Sequence, residues 1–263
     1  MRYLRLIGLF IRAAVAQEMA YRSNFAINLL YTSLNLIISV LALDVLYSQV
    51  HDVQGWNYTS TLALLGVFLT VSALRAVCLG PSLESLAGIE GELWTGQLDF
   101  TLLRPVNVQF LASFRHWRPF ALIDLALGLA VIARALAGAG GELTLERLAV
   151  FFLAITAGTV LLYALLLAFS ALVFWNPGFL YTWVFDAIFQ LARYPVGIYP
   201  AWLRVLLTWA IPVGLITTIP AEALTGRAGW AVVAPGLALA LTALAVASML
   251  FRLGIRKYSS ASS

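Results

Sequence analysis

Apolar residues run almost unbroken for about twenty positions at a time in this chain, the length a helix needs to cross a ~30 Å hydrocarbon core. Such runs fall at 24–46, 59–78, 120–136, 148–174 and 230–251, with a shorter one at 180–191. A segment in lipid must satisfy its own backbone, so it is a helix or part of a closed barrel. Barrel strands alternate apolar and polar residues, and these runs do not. The reading is therefore all-α: a polytopic membrane protein with six transmembrane helices, forming a single transmembrane domain over 1–263. Charge agrees, because 11% of residues are charged where a soluble domain carries about 25%.

Several function classes drop out. The lone cysteine, Cys78, rules out an internal disulfide and a Cys-based metal cluster. A net charge of +4 spread over membrane-facing loops does not suggest nucleic acid. His51 and His116 fall on opposite sides of the membrane under the topology below, so they share no metal. No HExxH or GxSxG occurs. Gly91 and Gly96 have phosphate-loop spacing, but Gln97 stands where the lysine must be, so no nucleotide binds by that route. Asn57, Tyr58 and Thr59 fit a glycosylation sequon, a pattern frequent by chance.

Residues 1–17 make a poor signal peptide, since Arg12 interrupts the apolar stretch before Ala14, Val15 and Ala16. Residues 1–22 read instead as an amphipathic interfacial helix. At about 100° per residue, Arg2, Arg5 and Arg12 share an arc of about 80°.

Residues 193–229 are apolar but broken by Pro195, Pro200, Pro212 and Pro220. They form either a seventh crossing or a re-entrant pair of helices. The positive-inside tendency arbitrates. Six crossings with both termini inside place Arg2, Arg5, Arg12, Arg22, Arg75, Arg104, Arg115, Arg118, Arg252, Arg256 and Lys257 in the cytoplasm. Arg134, Arg147, Arg193, Arg204 and Arg227 then lie outside, eleven cations against five. A seventh crossing would export the basic tail.

Between the second and third spans lies a polar interruption, 79–118, with Glu84, Glu90, Glu92 and Asp99, three arginines, and Pro105 as a stop. It reads as a short structured platform against the membrane. Glu90, Glu92, Trp94, Leu98 and Asp99 are expected on an exposed amphipathic segment, an aromatic anchor among carboxylates suited to docking.

Elsewhere, Asn28, Thr32, Asn35 and Ser39 share one face of the first span, lining a substrate path or bonding a neighbouring helix. Arg75 and Asp124, at matching depth in different spans, are expected to form a structural ion pair. Asp186, mid-span among aromatics, is a functional candidate. Gly236, Ala240, Ala243 and Ala247 offer a small-residue face for close helix packing.

The run GQLDFTLLRPVN at 96–107 resembles the signature loop of bacterial type-2 ABC exporter permeases, in the six-span branch of about 260 residues in which two permeases share one ATPase. Ala192, Arg193, Tyr194 and Pro195, then Ile198, Tyr199 and Pro200, Ile211 and Pro212, and Ile219 to Glu222 agree with it. The resemblance implies an elbow helix at 1–22, a cytoplasmic coupling helix within 86–104, and extracellular re-entrant helices at 193–229. It implies ATPase-coupling roles for Glu90, Glu92, Trp94, Gln97, Leu98, Asp99, Arg104 and Pro105. Trp94 and Thr95 stand where many members carry a basic residue.

The expectation is a non-catalytic permease subunit in the inner membrane, both termini cytoplasmic. It pairs with a second, non-identical permease, the pathway being lined by spans one, two and five (Asn28, Thr32, Asn35, Ser39 and Asp186). This chain binds no cofactor; ATP and Mg reside on a separate ATPase dimer. The rivals are a proton-coupled secondary transporter using Asp186, an intramembrane enzyme acting on lipid, and a membrane scaffold.

Overall fold

The computed structural model describes residues 2–88, 90–138, 144–179 and 181–258, and every regular element among them is helical. Helix α1 (Arg2–Ala20) turns at Tyr21 into α2 (Arg22–Gln49), the first long apolar helix. A short loop leads to α3 (Tyr58–Leu74), which continues through a π-helical turn, Arg75–Leu79, into α4 (Gly80–Glu84). Asn57, the sequon residue, starts α3 by a reciprocal cap: its carboxamide accepts from the Ser60 amide at 2.9 Å, and the Ser60 hydroxyl accepts from the Asn57 amide at 3.0 Å. Two orphan donors at a helix start are thereby satisfied.

The polar interruption holds α5 (Gln97–Leu102) and α6 (Val108–Phe114). Three long helices complete the frame: α7 (Leu122–Gly138), α8 (Leu145–Leu172) and α13 (Trp230–Lys257). Shorter pieces lie between the last two: α9 (Tyr181–Gln190), α10 (Ala201–Val205), α11 (Val213–Ile216) and α12 (Thr218–Leu224).

Helices α3 and α8 are the buried centre, apolar all round as a core helix must be. Small residues set the closest approaches. A Cβ added to Gly128 of α7 would lie 2.8 Å from the Thr70 amide nitrogen of α3, and one on Gly66 would lie 2.9 Å from that of Ile132. Helix α13 packs along α8 and buries Gly236, Ala240 and Ala247 of the expected small-residue face, with Ala243 half-buried beside them.

Among the described residues, five helices are long and apolar enough to cross a bilayer: Ser23–Gln49, Tyr58–Glu84, Pro119–Gly138, Leu145–Leu172 and Trp230–Lys257. The expected crossing at 180–191 is corrected. Leu180 lies outside the described residues, and α9 has ten residues, about 15 Å, half a hydrocarbon core. Pro177 and Pro195 bound it on either side.

Helix α9 starts beside α4, where the Tyr181 hydroxyl donates to the Leu83 carbonyl at 2.9 Å, and climbs to the middle of α3, with Phe189 on Phe68. The chain resumes the ascent in α11 and α12. The Thr217 hydroxyl donates to Ala192 O at 2.9 Å, and Arg227 then reaches Trp56 at the opposite end. Between these halves the chain makes an excursion through α10. Segment Ala201–Trp209 meets Val213–Leu224 at 62°, and counting that bent pair as one span gives six.

Candidate functional site

The polar interruption folds into a braced platform at one end of the bundle. Gly88 (φ 87°) and Gly96 (φ 73°) occupy the left-handed region, where a side chain is strained. These turns confine the expected platform helix to the six residues of α5. The loop closes on itself, the Glu92 amide donating to Ser85 O at 2.9 Å and the Leu98 amide to Glu92 O at 3.1 Å. Asn107 caps α6 by accepting from the Phe110 amide at 3.1 Å.

Two expected docking residues face inward. Leu98 is fully buried with Leu93. Glu92 is buried too, its carboxylate accepting from the Arg115 guanidinium at 3.2 Å, while the same nitrogen reaches the Thr101 hydroxyl at 3.5 Å. A carboxylate in so apolar a setting needs that partner, and the pairing spans a sequence distance no helical periodicity reveals. The outward face consists of Glu90, Trp94, Gln97, Arg104 and Pro105, with Asp99 half-buried. It also carries two residues outside the expected set, Phe100 at 70% and Leu103 at 81% exposure.

The platform is fastened to α4 around His116. The His116 amide donates to Ser82 Oγ at 2.7 Å, and the Ser85 hydroxyl lies 3.4 Å from His116 Nδ1. Burial pushes the imidazole below its ordinary pKa, against the opposing pull of Glu92.

Arg75 is the hub above the platform, and its partners are not the expected ones. Its guanidinium donates to Glu84 Oε1 at 2.6 Å and contacts Asp186 Oδ1 at 2.5 Å, lying 4.9 Å from the Phe185 ring centroid. The expected Arg75–Asp124 pair is thus replaced: Asp124 instead lines the cavity between α1, α2 and α7, together with Thr32. Nine residues separate Arg75 from Glu84, which puts them on opposite faces of a regular α-helix. The π-helical turn between them shifts that phase. Asp186, half-exposed, is the counter-ion that joins α9 to α3.

Between α1, α2 and the start of α7 lies a cavity of about 620 Å³. Asn28 and Thr32 of the polar stripe line it, together with Glu18, Asp124, His116 and Arg118. The other two stripe residues lie outside it. The Asn35 amide donates to Tyr31 O at 3.0 Å and the Ser39 hydroxyl to Asn35 O at 2.5 Å, both within their own helix. Among the described residues, no group of three His, Cys, Asp or Glu side chains is placed to hold a metal ion.

One family model, described as ABC-2 family transporter protein, matches residues 33–262. The chain belongs to that family. No curated protein and no solved structure matched the chain.

Proposed function

From membership in the ABC-2 transporter family, we propose that this multi-pass membrane protein is the permease subunit of an ATP-driven exporter. It works with a second, non-identical permease and a separate ATP-binding cassette ATPase. The observation that carries the reading is the apolar part of the outer face of a braced platform: Trp94, Phe100 and Leu103 exposed on a segment braced by the buried Glu92 and half-buried Arg115. Exposed aromatic and aliphatic side chains on a stiff support suit docking of a protein partner.

In this reading the platform is the cytoplasmic coupling segment and α1 the interfacial elbow helix. The excursion through α10, from which the chain returns to complete its ascent in α11 and α12, is the re-entrant part of the 193–229 stretch, at the outer half. Movement of the ATPase tilts the platform. Ser82 and His116 pass the motion to α4, and the Arg75 hub passes it to α9.

The test is affinity purification of the tagged chain from its host, with co-purifying proteins identified by sequence. An ATP-binding cassette ATPase and a second ABC-2 permease are expected. The double variant Phe100→Asp/Leu103→Asp should lose the ATPase and keep the permease. Retention of the ATPase by the variant would overturn the docking role. Labelling of Gln97→Cys in a Cys78→Ala background of intact cells tests sidedness. A membrane-impermeant reagent that reached it would put the platform outside and end the proposal.

A further inference from the structure

The cavity between α1, α2 and α7 is lined by two kinds of side chain that together define a ligand class. Its size falls within the ~300–1,000 Å³ usual for small-molecule sites. Its apolar wall includes Phe25, Trp117 and Phe120, with Phe25 edge-on to Phe120 at 4.7 Å between centroids. Two carboxylates stand in that wall. One oxygen of Glu18 accepts from the Phe120 amide at 2.8 Å, and Asp124 shares the lining with Thr32. Among the described residues of the lining, the one guanidinium set against them is that of Arg118, which is exposed to solvent. His116 adds no positive charge near neutral pH, because burial favours its uncharged form.

Negative charge on an aromatic wall attracts cations twice over, through the carboxylates and through the negative faces of the rings. An inorganic ion would forfeit its hydration shell to a mostly apolar surface, whereas a charged group on an apolar body satisfies both parts of the lining.

We propose that this cavity binds an organic cation carried on an aromatic or apolar body, with Asp124 and Glu18 as its counter-charges and Phe25 and Phe120 as its wall. As a statement of substrate class the proposal rests on the permease reading. As a statement of binding it does not, because the purified chain alone is enough to test it. The cationic group belongs either to a soluble amphiphile or to the ammonium of a lipid headgroup.

The probes are N-methylacridinium and acridine, which share one ring system and differ in charge in mildly alkaline buffer. Their fluorescence is titrated with the full chain in neutral maltoside micelles, without ATPase or second permease. N-methylacridinium should bind about tenfold tighter than acridine. Asp124→Asn and Glu18→Gln should each remove most of that preference and leave acridine binding unchanged. Glutamine still accepts from the Phe120 amide, so E18Q keeps the test alive should D124N fail to fold. Equal binding of the two probes, or a preference that survives both substitutions, overturns the proposal.

Phosphatidylethanolamine and phosphatidylglycerol added to the micelles separate the sources. Displacement of the bound cation by the first alone assigns the site to a lipid ammonium, and displacement by neither assigns it to a soluble cation. Either leaves the cation site standing, and stronger displacement by phosphatidylglycerol overturns it. Failure here leaves the permease reading untouched, since that reading is decided by the co-purifying ATPase.

Discussion

Replacing Arg75 by methionine should destabilise the helical bundle more than any other single loss of charge among the residues described. Methionine keeps most of the side-chain length and removes the cation. Glu84 and Asp186 are then left facing each other across a site designed around a guanidinium. Breaking a fully buried pair by deleting one partner costs about 3–5 kcal/mol. Water reaches this pair unevenly, for the side-chain exposures are 14% at Arg75, 28% at Glu84 and 51% at Asp186. The Asp186 contact is therefore discounted as partly screened, which brings the expected cost to about 2–3 kcal/mol.

For a chain of this size that corresponds to a fall in unfolding midpoint of roughly 4–10 °C. The assay is thermal unfolding in detergent micelles, read with a thiol-reactive dye on Cys78, the sole cysteine, half-buried three residues from the hub. The informative control is the triple variant Arg75→Met/Glu84→Gln/Asp186→Asn. It removes the orphaned charges, so it should recover at least half the loss. Arg75→Lys should fall between, because an ammonium lacks the planar fork that serves two carboxylates. A midpoint for Arg75→Met equal to wild type, or a triple variant as unstable as the single one, would refute the argument that uncompensated charge sets the cost.

Two further substitutions and one titration probe other parts of the frame. Gly128→Leu should destabilise by about 1–3 kcal/mol, since even its Cβ would lie 2.8 Å from the Thr70 amide nitrogen. Gly8→Ala in α1, where no atom lies within 4 Å of the added carbon, should be neutral or stabilising by about 0.5–1 kcal/mol. Equal effects at the two glycines in the same unfolding assay would contradict the close α3–α7 crossing. His116 should make the platform acid-sensitive. Above its ordinary pKa of 6.5, folded and unfolded states both hold it neutral and it contributes no pH dependence. Below 6.5 the unfolded state takes up a proton that the buried ring resists, so stability falls as pH drops toward the lowered folded pKa. Midpoints measured on either side of 6.5 should diverge less in His116→Asn, and an unchanged slope would remove His116 from the account.

What the sequence made legible follows from the range over which each signal acts. A bilayer crossing is written locally, in a continuous apolar run, so α2, α3, α7, α8 and α13 were readable from composition and length. The small-residue face of α13 was readable for the same reason, since Gly236, Ala240 and Ala247 recur within one helix. The broken ascent through α9, α11 and α12 was not. Its halves are joined by contacts such as Thr217 to Ala192 and Gly214 to Val196, the first of which brings together positions separated by Pro195, Pro200 and Pro212.

Charge partners were the least legible of all. Depth alone paired Arg75 with Asp124, and depth is a weak constraint when several spans carry acids at one level. The true partners depend on a π-helical turn that rephases Glu84 and on the short helix that delivers Asp186. On the platform, amphipathic patterning assigned Glu92 to the surface because a carboxylate is usually solvated. Only the return of the chain through Arg115 makes its burial tolerable, and the same return leaves Phe100 and Leu103 outside. Each misplacement has one cause: a tertiary partner changed the environment of a residue whose local pattern pointed the other way. The outer face of the platform is therefore more apolar than its sequence suggests, and a partner that grips it does so through side chains the charge pattern had concealed.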